Sequence, residues 1–301
     1  MKKRSLYYAV LGLAAIAAVG LVYAYSSSST SEATIAGLFE ETHIHGIAVD
    51  AKDPTRLFLA THHGLFIAGL DGRTRRVSTT RDDFMGFTVH PTDPSVLYAS
   101  GHPVAGGNLG FITSRDGGRS WSKISNGSNG PVDFHQMVVS KADARVVYGV
   151  QHGDLQRSAD GGLTWTRVGP VPNGTIALAA SSTDANGVFA ATQSGLFHSS
   201  DGGRTWTQAF ASGRVATMMH VTKDGNVYAF IVGLGLVRAN EKELAWQLVS
   251  NTLGEDFVIH FASHPTDQKW LYAVTLNPQS RRQSVLESRD GGLRWTMLGN
   301  K

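Results

Sequence analysis

The 301-residue sequence contains no cysteine. That excludes disulfides, thiolate nucleophiles, iron–sulfur clusters and every cysteine-ligated metal site, and leaves an ordinary packed core as the source of stability. An excess of one charge is missing too. The formal net charge of +3 is accounted for by Lys2, Lys3 and Arg4 alone. The remainder is balanced and carries no electrostatic footprint for nucleic acid. After Tyr25 no ten-residue stretch shows the spacing of an amphipathic helix.

What is present begins with an uncharged apolar run, Leu6 to Tyr25, behind that basic cluster. About twenty apolar residues are enough to cross a bilayer as a helix, and the basic residues favour the cytoplasmic side. Residues 1–25 therefore read as a transmembrane signal anchor, or as a signal peptide with Val22 and Ala24 at the small-residue cleavage positions. Both readings export the rest to the cell envelope: anchored to the cytoplasmic membrane with the folded part outside, or secreted if the signal is cleaved. Residues 26–40, opening with Ser26 to Ser29, read as a polar tether.

The folded part repeats. Four segments follow the pattern Ser-x-Asp-Gly-Gly-x-x-Trp, and their aspartates Asp116, Asp160, Asp201 and Asp290 stand 44, 41 and 89 residues apart. The long step holds a worn copy at Arg238 to Trp246, and one step before Asp116 lies another at Asp71-Gly72. A short apolar segment of strand character precedes each copy. Each repeat thus reads as one four-stranded blade, and the whole as an all-β, six-bladed β-propeller over 41–301. The blades fall at about 41–82, 83–131, 132–173, 174–212, 213–254 and 255–300. The Gly-Gly pair suits a tight turn, the Asp and Ser can satisfy turn donors, and the Trp can fill the gap between blades. Asp116, Trp121, Asp160, Trp165, Asp201, Trp206, Asp290 and Trp295 are accordingly expected to be structural.

These boxes resemble the Asp-box repeats of bacterial neuraminidases, which also occur in sortilin-type receptors, some glucanases and a photosystem-assembly factor. The segments Thr42 to Gly46, Thr61 to Phe66 and Asp83 to Pro91 are similar to short bacterial single-propeller proteins labelled glycosylhydrolase-like or sialidase-like. The resemblance implies the fold and leaves the activity open.

Aligning the first strands through Val49, Val89 and Val139 stacks His43 and His45 over Asp83 and Met85, and over Asp133 and His135. The second strands of the same blades end at His62 and His63, at His102 and at His152. Ten potential ligands thus fall at one mouth, on three consecutive blades. Blades 4 to 6 offer Ile176, Thr217 and Ile259 at the matching position, with His260 close by. Neutral imidazole together with carboxylate or thioether suits a transition metal, with copper favoured by Met85 and zinc next. The expected function is therefore metal handling or assembly by a membrane-tethered propeller, with a protein partner or small ligand at the mouth. The alternative is a glycosidase-type hydrolase using Asp83, Asp133 or Glu41, since two suitably spaced carboxyls are its requirement. True sialidase activity is not expected, because only Arg73, Arg81 and Arg214 stand near the mouth. His90 and His264, in His-Pro-Thr-Asp turns, are expected to be structural at the opposite face.

Overall fold

The computed structural model describes residues 33–210 and 213–299; the expected signal segment 1–25 lies outside them. Among the described residues no helix is long and apolar enough to cross a membrane. A two-residue strand β1 (Ala33–Thr34) and a helix α1 (Ile35–Glu41) precede six blades of four strands each, and β1 adds a fifth, outermost strand to the sheet of blade 1. Blade 1 comprises β2 (Ile44–Val49), β3 (Arg56–Thr61), β4 (Gly64–Gly69) and β5 (Arg73–Arg76), and blade 2 comprises β6 (Asp83–Val89), β7 (Leu97–His102), β8 (Phe111–Ser114) and β9 (Ser122–Ser125). Blade 3 is β10 (Gln136–Val139), β11 (Val147–Gln151), β12 (Asp154–Ser158) and β13 (Thr166–Pro170); blade 4 is β14 (Thr175–Ala180), β15 (Val188–Thr192), β16 (Gly195–Ser199) and β17 (Thr207–Phe210). Blade 5 is β18 (Ala216–Val221), β19 (Asn226–Ile231), β20 (Gly235–Asn240) and β21 (Gln247–Ser250), and blade 6 is β22 (Phe257–Ser263), β23 (Leu271–Leu276), β24 (Gln283–Ser288) and β25 (Thr296–Met297). The expected six-bladed propeller is the observed fold.

Within each blade the strands pair antiparallel in chain order. The first strands contact one another in a closed cycle, β2 to β6 to β10 to β14 to β18 to β22 and back to β2, so they form the inner ring. The second strands are covered on both faces by neighbouring blades. This is why they read as unbroken apolar runs rather than alternating ones; Leu57 to Thr61 and Val188 to Thr192 are buried throughout.

The box turns fasten each blade to the one before it. In blade 2, Ser114 Oγ accepts from Gly118 N at 2.8 Å and donates to Asp116 Oδ1 at 2.8 Å, while Ser120 Oγ donates to Asp116 Oδ2 at 2.6 Å. The same network recurs around Asp160 and Asp201, with Thr164 and Thr205 as the outer donors, and in blade 6 around Asp290 with Ser288. Hydrogen bonds from Ser120 and Thr164 hold the Asp116 and Asp160 carboxyls down at about 2. The second glycine of each box is pressed against the preceding blade. At Gly118 (φ 87°) a Cβ would lie 2.2 Å from Leu65 Cδ2, and at Gly162 2.0 Å from Phe111. Trp121 packs on Phe84, and Trp165 on Phe111 and Phe134, within clusters shared by adjacent blades.

Ring closure does not use a shared strand, since blade 6 takes all four of its strands from the C-terminal segment. Residues 35–40, assigned to the tether by sequence, fold instead with Glu41 as a helix that packs at the ring closure. Thr34 caps α1 by accepting from Gly37 N at 3.1 Å. Ile35 and Leu38 are buried in one cluster with Val49 and Leu57 of blade 1 and Tyr272, Val274 and Val285 of blade 6. Ile35 N donates to Gly72 O at 2.9 Å.

Candidate metal centre

At the start of each inner strand the register with the second strand slips in five of the six blades, including Ile44/Gly46, Thr175/Ala177, Ala216/Met218 and Val258/His260. Such a bulge adds an unpaired residue and re-aims its side chain. The extra residues are His45, Ile176, Thr217 and Ile259, so blade 1 places an imidazole where blades 4 to 6 place aliphatic side chains or a hydroxyl. Blade 2 slips between Met85 and Thr88.

The expected ligands converge as two groups. In the first, His62 Nδ1 donates to Asp83 Oδ2 at 2.7 Å, His62 Nε2 stands 3.0 Å from His45 Nε2, and His45 Nε2 is 3.7 Å from Asp83 Oδ1. In the second, Asp133 Oδ2 meets His135 Nε2 at 2.7 Å and His102 Nε2 at 3.0 Å. In each group three ligand atoms lie within 4.8 Å of one another. The two groups follow the ring: His45 and His62 of blade 1 face Asp83 of blade 2, and His102 of blade 2 faces Asp133 and His135 of blade 3.

Asp83 Oδ1 and Asp133 Oδ1 are buried and have no hydrogen-bond partner among the described residues, and an unsatisfied buried acceptor costs roughly 1–3 kcal/mol. His102 faces an acceptor from each ring nitrogen, Gly107 O at Nδ1 (3.0 Å) and Asp133 at Nε2. A neutral imidazole has one N–H to give, so it can donate to only one of these two oxygens, and a cation shared by Nε2 and the carboxylate would satisfy the other contact. In the first group, donation from His62 Nδ1 to Asp83 leaves the His62 Nε2 lone pair to accept from His45 Nε2–H. Two imidazoles on one tetrahedral ion, with bonds of about 2.0–2.1 Å, place their nitrogens about 3.3 Å apart, close to the 3.0 Å here.

Electrostatics fit a neutral, ligating imidazole at His45. Burial, followed by the nearby His62, His260, His43 and His135, pushes it down to about 3. His135 goes the other way, raised by its hydrogen bond to Asp133.

Other expected residues stay outside these groups. His43 is exposed, with its ring centroid 6.0 Å from that of His62. His63 is exposed in the turn between β3 and β4, and His152 in the turn between β11 and β12. Met85 lies on β6 two residues beyond Asp83, paired with Ser100. Glu41, exposed at the end of α1, joins neither group. Arg73 pairs with Asp71, and Arg214 donates to Gly233 O. His90 and His264 accept turn amides through Nδ1, from Asp93 N at 2.9 Å and Asp267 N at 3.0 Å.

Two residues of blade 6 support the site from across the seam. His260 Nε2 donates to Ile44 O at 3.0 Å, and Ile44 N donates to Gln283 Oε1 at 2.9 Å. Both backbone groups of the residue before His45 are thereby held by side chains of the last blade. Gln283 gave no sequence signal, because an amide on a hairpin strand is ordinary until the seam partner is known.

Fold and repeats together define a six-bladed β-propeller. A family model described as DUF6242 beta propeller domain matches residues 104–301, and the chain belongs to that family. No curated protein matches the chain. Among solved structures it is similar to the GH74 xyloglucanase of Xanthomonas campestris (TM-score 0.59, 17% identity, 85% of this chain and 45% of that one). It is also similar to a GH74 enzyme of Niastella koreensis (0.61, 15%, 85% and 45%) and to YCF48 of Cyanidioschyzon merolae (0.51, 16%, 85% and 85%). The chain spans less than half the length of those GH74 enzymes, and at these identities the likeness is one of fold.

Proposed function

We propose that this chain is an exported propeller, held at the membrane by its N-terminal segment, that binds a transition metal at the mouth formed by blades 1 to 3. The observation that carries this reading is the twofold convergence of two imidazoles and a carboxylate, each carboxylate retaining a buried oxygen without a hydrogen-bond partner. His45, His62 and Asp83 form one ligand set; His102, Asp133 and His135 form the other. A set of two histidines and an aspartate suits zinc or copper(II), and the Met85 thioether on the same strand as Asp83 favours copper if copper(I) is carried. Ligands drawn from separate strands of a rigid ring are preorganised, which suits holding and passing on an ion as an assembly factor does. The glycosidase reading retains only the GH74 likeness, because Asp83 and Asp133 already engage imidazoles and Glu41 lies apart from both at the end of α1.

Elemental analysis of the full-length chain, purified without chelator and then titrated with copper and zinc, tests the proposal. Two equivalents of metal, one of which is lost in the His45→Ala/His62→Ala double variant, is the expected result. No metal above background, or equal loading of that variant and the wild type at the first set, would remove it.

A further inference from the structure

The two ligand sets differ in what lies beside them. A cavity of about 750 Å³ opens against His102, Asp133 and His135 and touches no member of the first set. It runs from there to the β11–β12 turn and the connection between blades 3 and 4. No Lys, Arg, Phe, Tyr or Trp lines it. An anionic ligand would therefore meet no fixed cation, and a sugar ring would find no aromatic face to stack on. Instead four carboxamides, Asn108, Gln136, Gln151 and Asn173, line a groove whose far wall is Pro170 and Pro172.

A second observation marks the same groove. His152 has φ 53°, beside Gly153 at φ 80°. Two positive φ values make the kind of hairpin turn normally filled by Asn-Gly or Gly-Gly. An imidazole-bearing residue held in the left-handed region costs about 1–2 kcal/mol of backbone energy, and here that residue lines the cavity. Strain of this kind gathers at ligand sites.

The geometry points to a groove that binds a short uncharged or cationic peptide, one donor of which completes the coordination of the ion at His102, Asp133 and His135. This rests on the metal reading above. Three protein ligands with an accessible fourth position is the arrangement of an exchanging rather than a purely structural site. Carboxamides carry both a donor and an acceptor, matching the alternating N–H and C=O groups of a peptide, and the volume lies in the usual range for small-ligand clefts. The first set, which this cavity does not touch, is the resident site, and the second is the one through which an ion meets its recipient.

Calorimetry of the full-length, zinc-loaded protein with the blocked tripeptide acetyl-Gly-His-Gly-amide tests this. Binding is expected, weakened about tenfold by Gln151→Ala or Asn173→Ala, the loss of one hydrogen bond each, with metal content unchanged. It is expected to disappear with the second ion in His102→Ala/His135→Ala. A protein that takes up no metal fails at elemental analysis, before peptide is added, and overturns both readings. A protein that loads with metal but ignores the peptide, binds it equally when metal-free, or takes a cello-oligosaccharide in its place overturns this one alone.

Discussion

Replacing Asp83 by Asn separates binding from folding. In the metal-free protein the carboxylate makes one short contact, 2.7 Å to His62, whose side chain is 45% exposed. Solvent screening limits such a pair to about 0–1 kcal/mol. Against that stands a buried Oδ1 with no hydrogen-bond partner, a liability of roughly 1–3 kcal/mol. Asn keeps the shape and removes the charge, so metal-free stability should stay within about 1 kcal/mol of wild type or rise. With metal the sign reverses, because the variant loses either a ligand or the group that orients His62. Loss of such a partner weakens metal binding about 10–100-fold, which is about 1.4–2.7 kcal/mol. Urea denaturation of both proteins, with and without saturating zinc, reads both terms. The reasoning is refuted if Asp83→Asn costs more than about 2 kcal/mol without metal while zinc stabilises both proteins equally, for then the carboxylate is a structural element of the ring.

Other predictions concern the frame. Gly117 and Gly118 share one turn and the same sign of φ, but a Cβ at Gly117 meets nothing within 4 Å whereas one at Gly118 meets Leu65 at 2.2 Å. Gly117→Ala should therefore cost about 1–2 kcal/mol, and Gly118→Ala a further 1–3 from overpacking, read as the difference between their urea midpoints. Leu38→Ala should cost about 2–5 kcal/mol if α1 closes the ring, and near zero in the same assay if the helix is only a tether. Burial lowers His220 to about 3 and His260 to about 4. Their unfolded forms take up protons below about 6.5 while the folded forms do not, so stability is complete above that pH and falls as pH drops through the window from about 6.5 to about 4. The slope should approach about 2–3 kcal/mol per pH unit for the two together, and a flat denaturation profile between pH 7 and 5 would contradict their neutral burial.

The propeller was legible because its repeats carry their own mechanics: the second glycine, the serine and the tryptophan of each box all have partners fixed by the turn and by the preceding blade. The worn copies were legible only by spacing. In blade 5 the lost box is replaced by Glu241, whose carboxylate accepts from Ser181, Ser182 and Thr183 of blade 4, an anchor of another chemistry. The seam was not legible, since α1 is seven residues long and Ile35 and Leu38 give too short a pattern for helical periodicity. Strand alignment placed His45, Asp83 and His135 at one mouth of the ring, because a period-two pleat fixes which residues share an end of the sheet. It could not choose among them. Which imidazoles meet depends on the bulge at His45, on the Gly107 carbonyl that holds His102, and on the seam contacts of His260 and Gln283, none of which has a local sequence signature.

Anomalous diffraction at the metal edge, from crystals of the full-length protein loaded with copper or zinc, addresses the metal centre most directly. The account predicts a peak bounded by the Nε2 atoms of His45 and His62 and by Asp83 Oδ1, with a second peak at the Asp133 carboxylate beside the Nε2 atoms of His102 and His135. A loaded crystal with no density at either place, or with its metal at His90, His264 or the exposed His63, would contradict it.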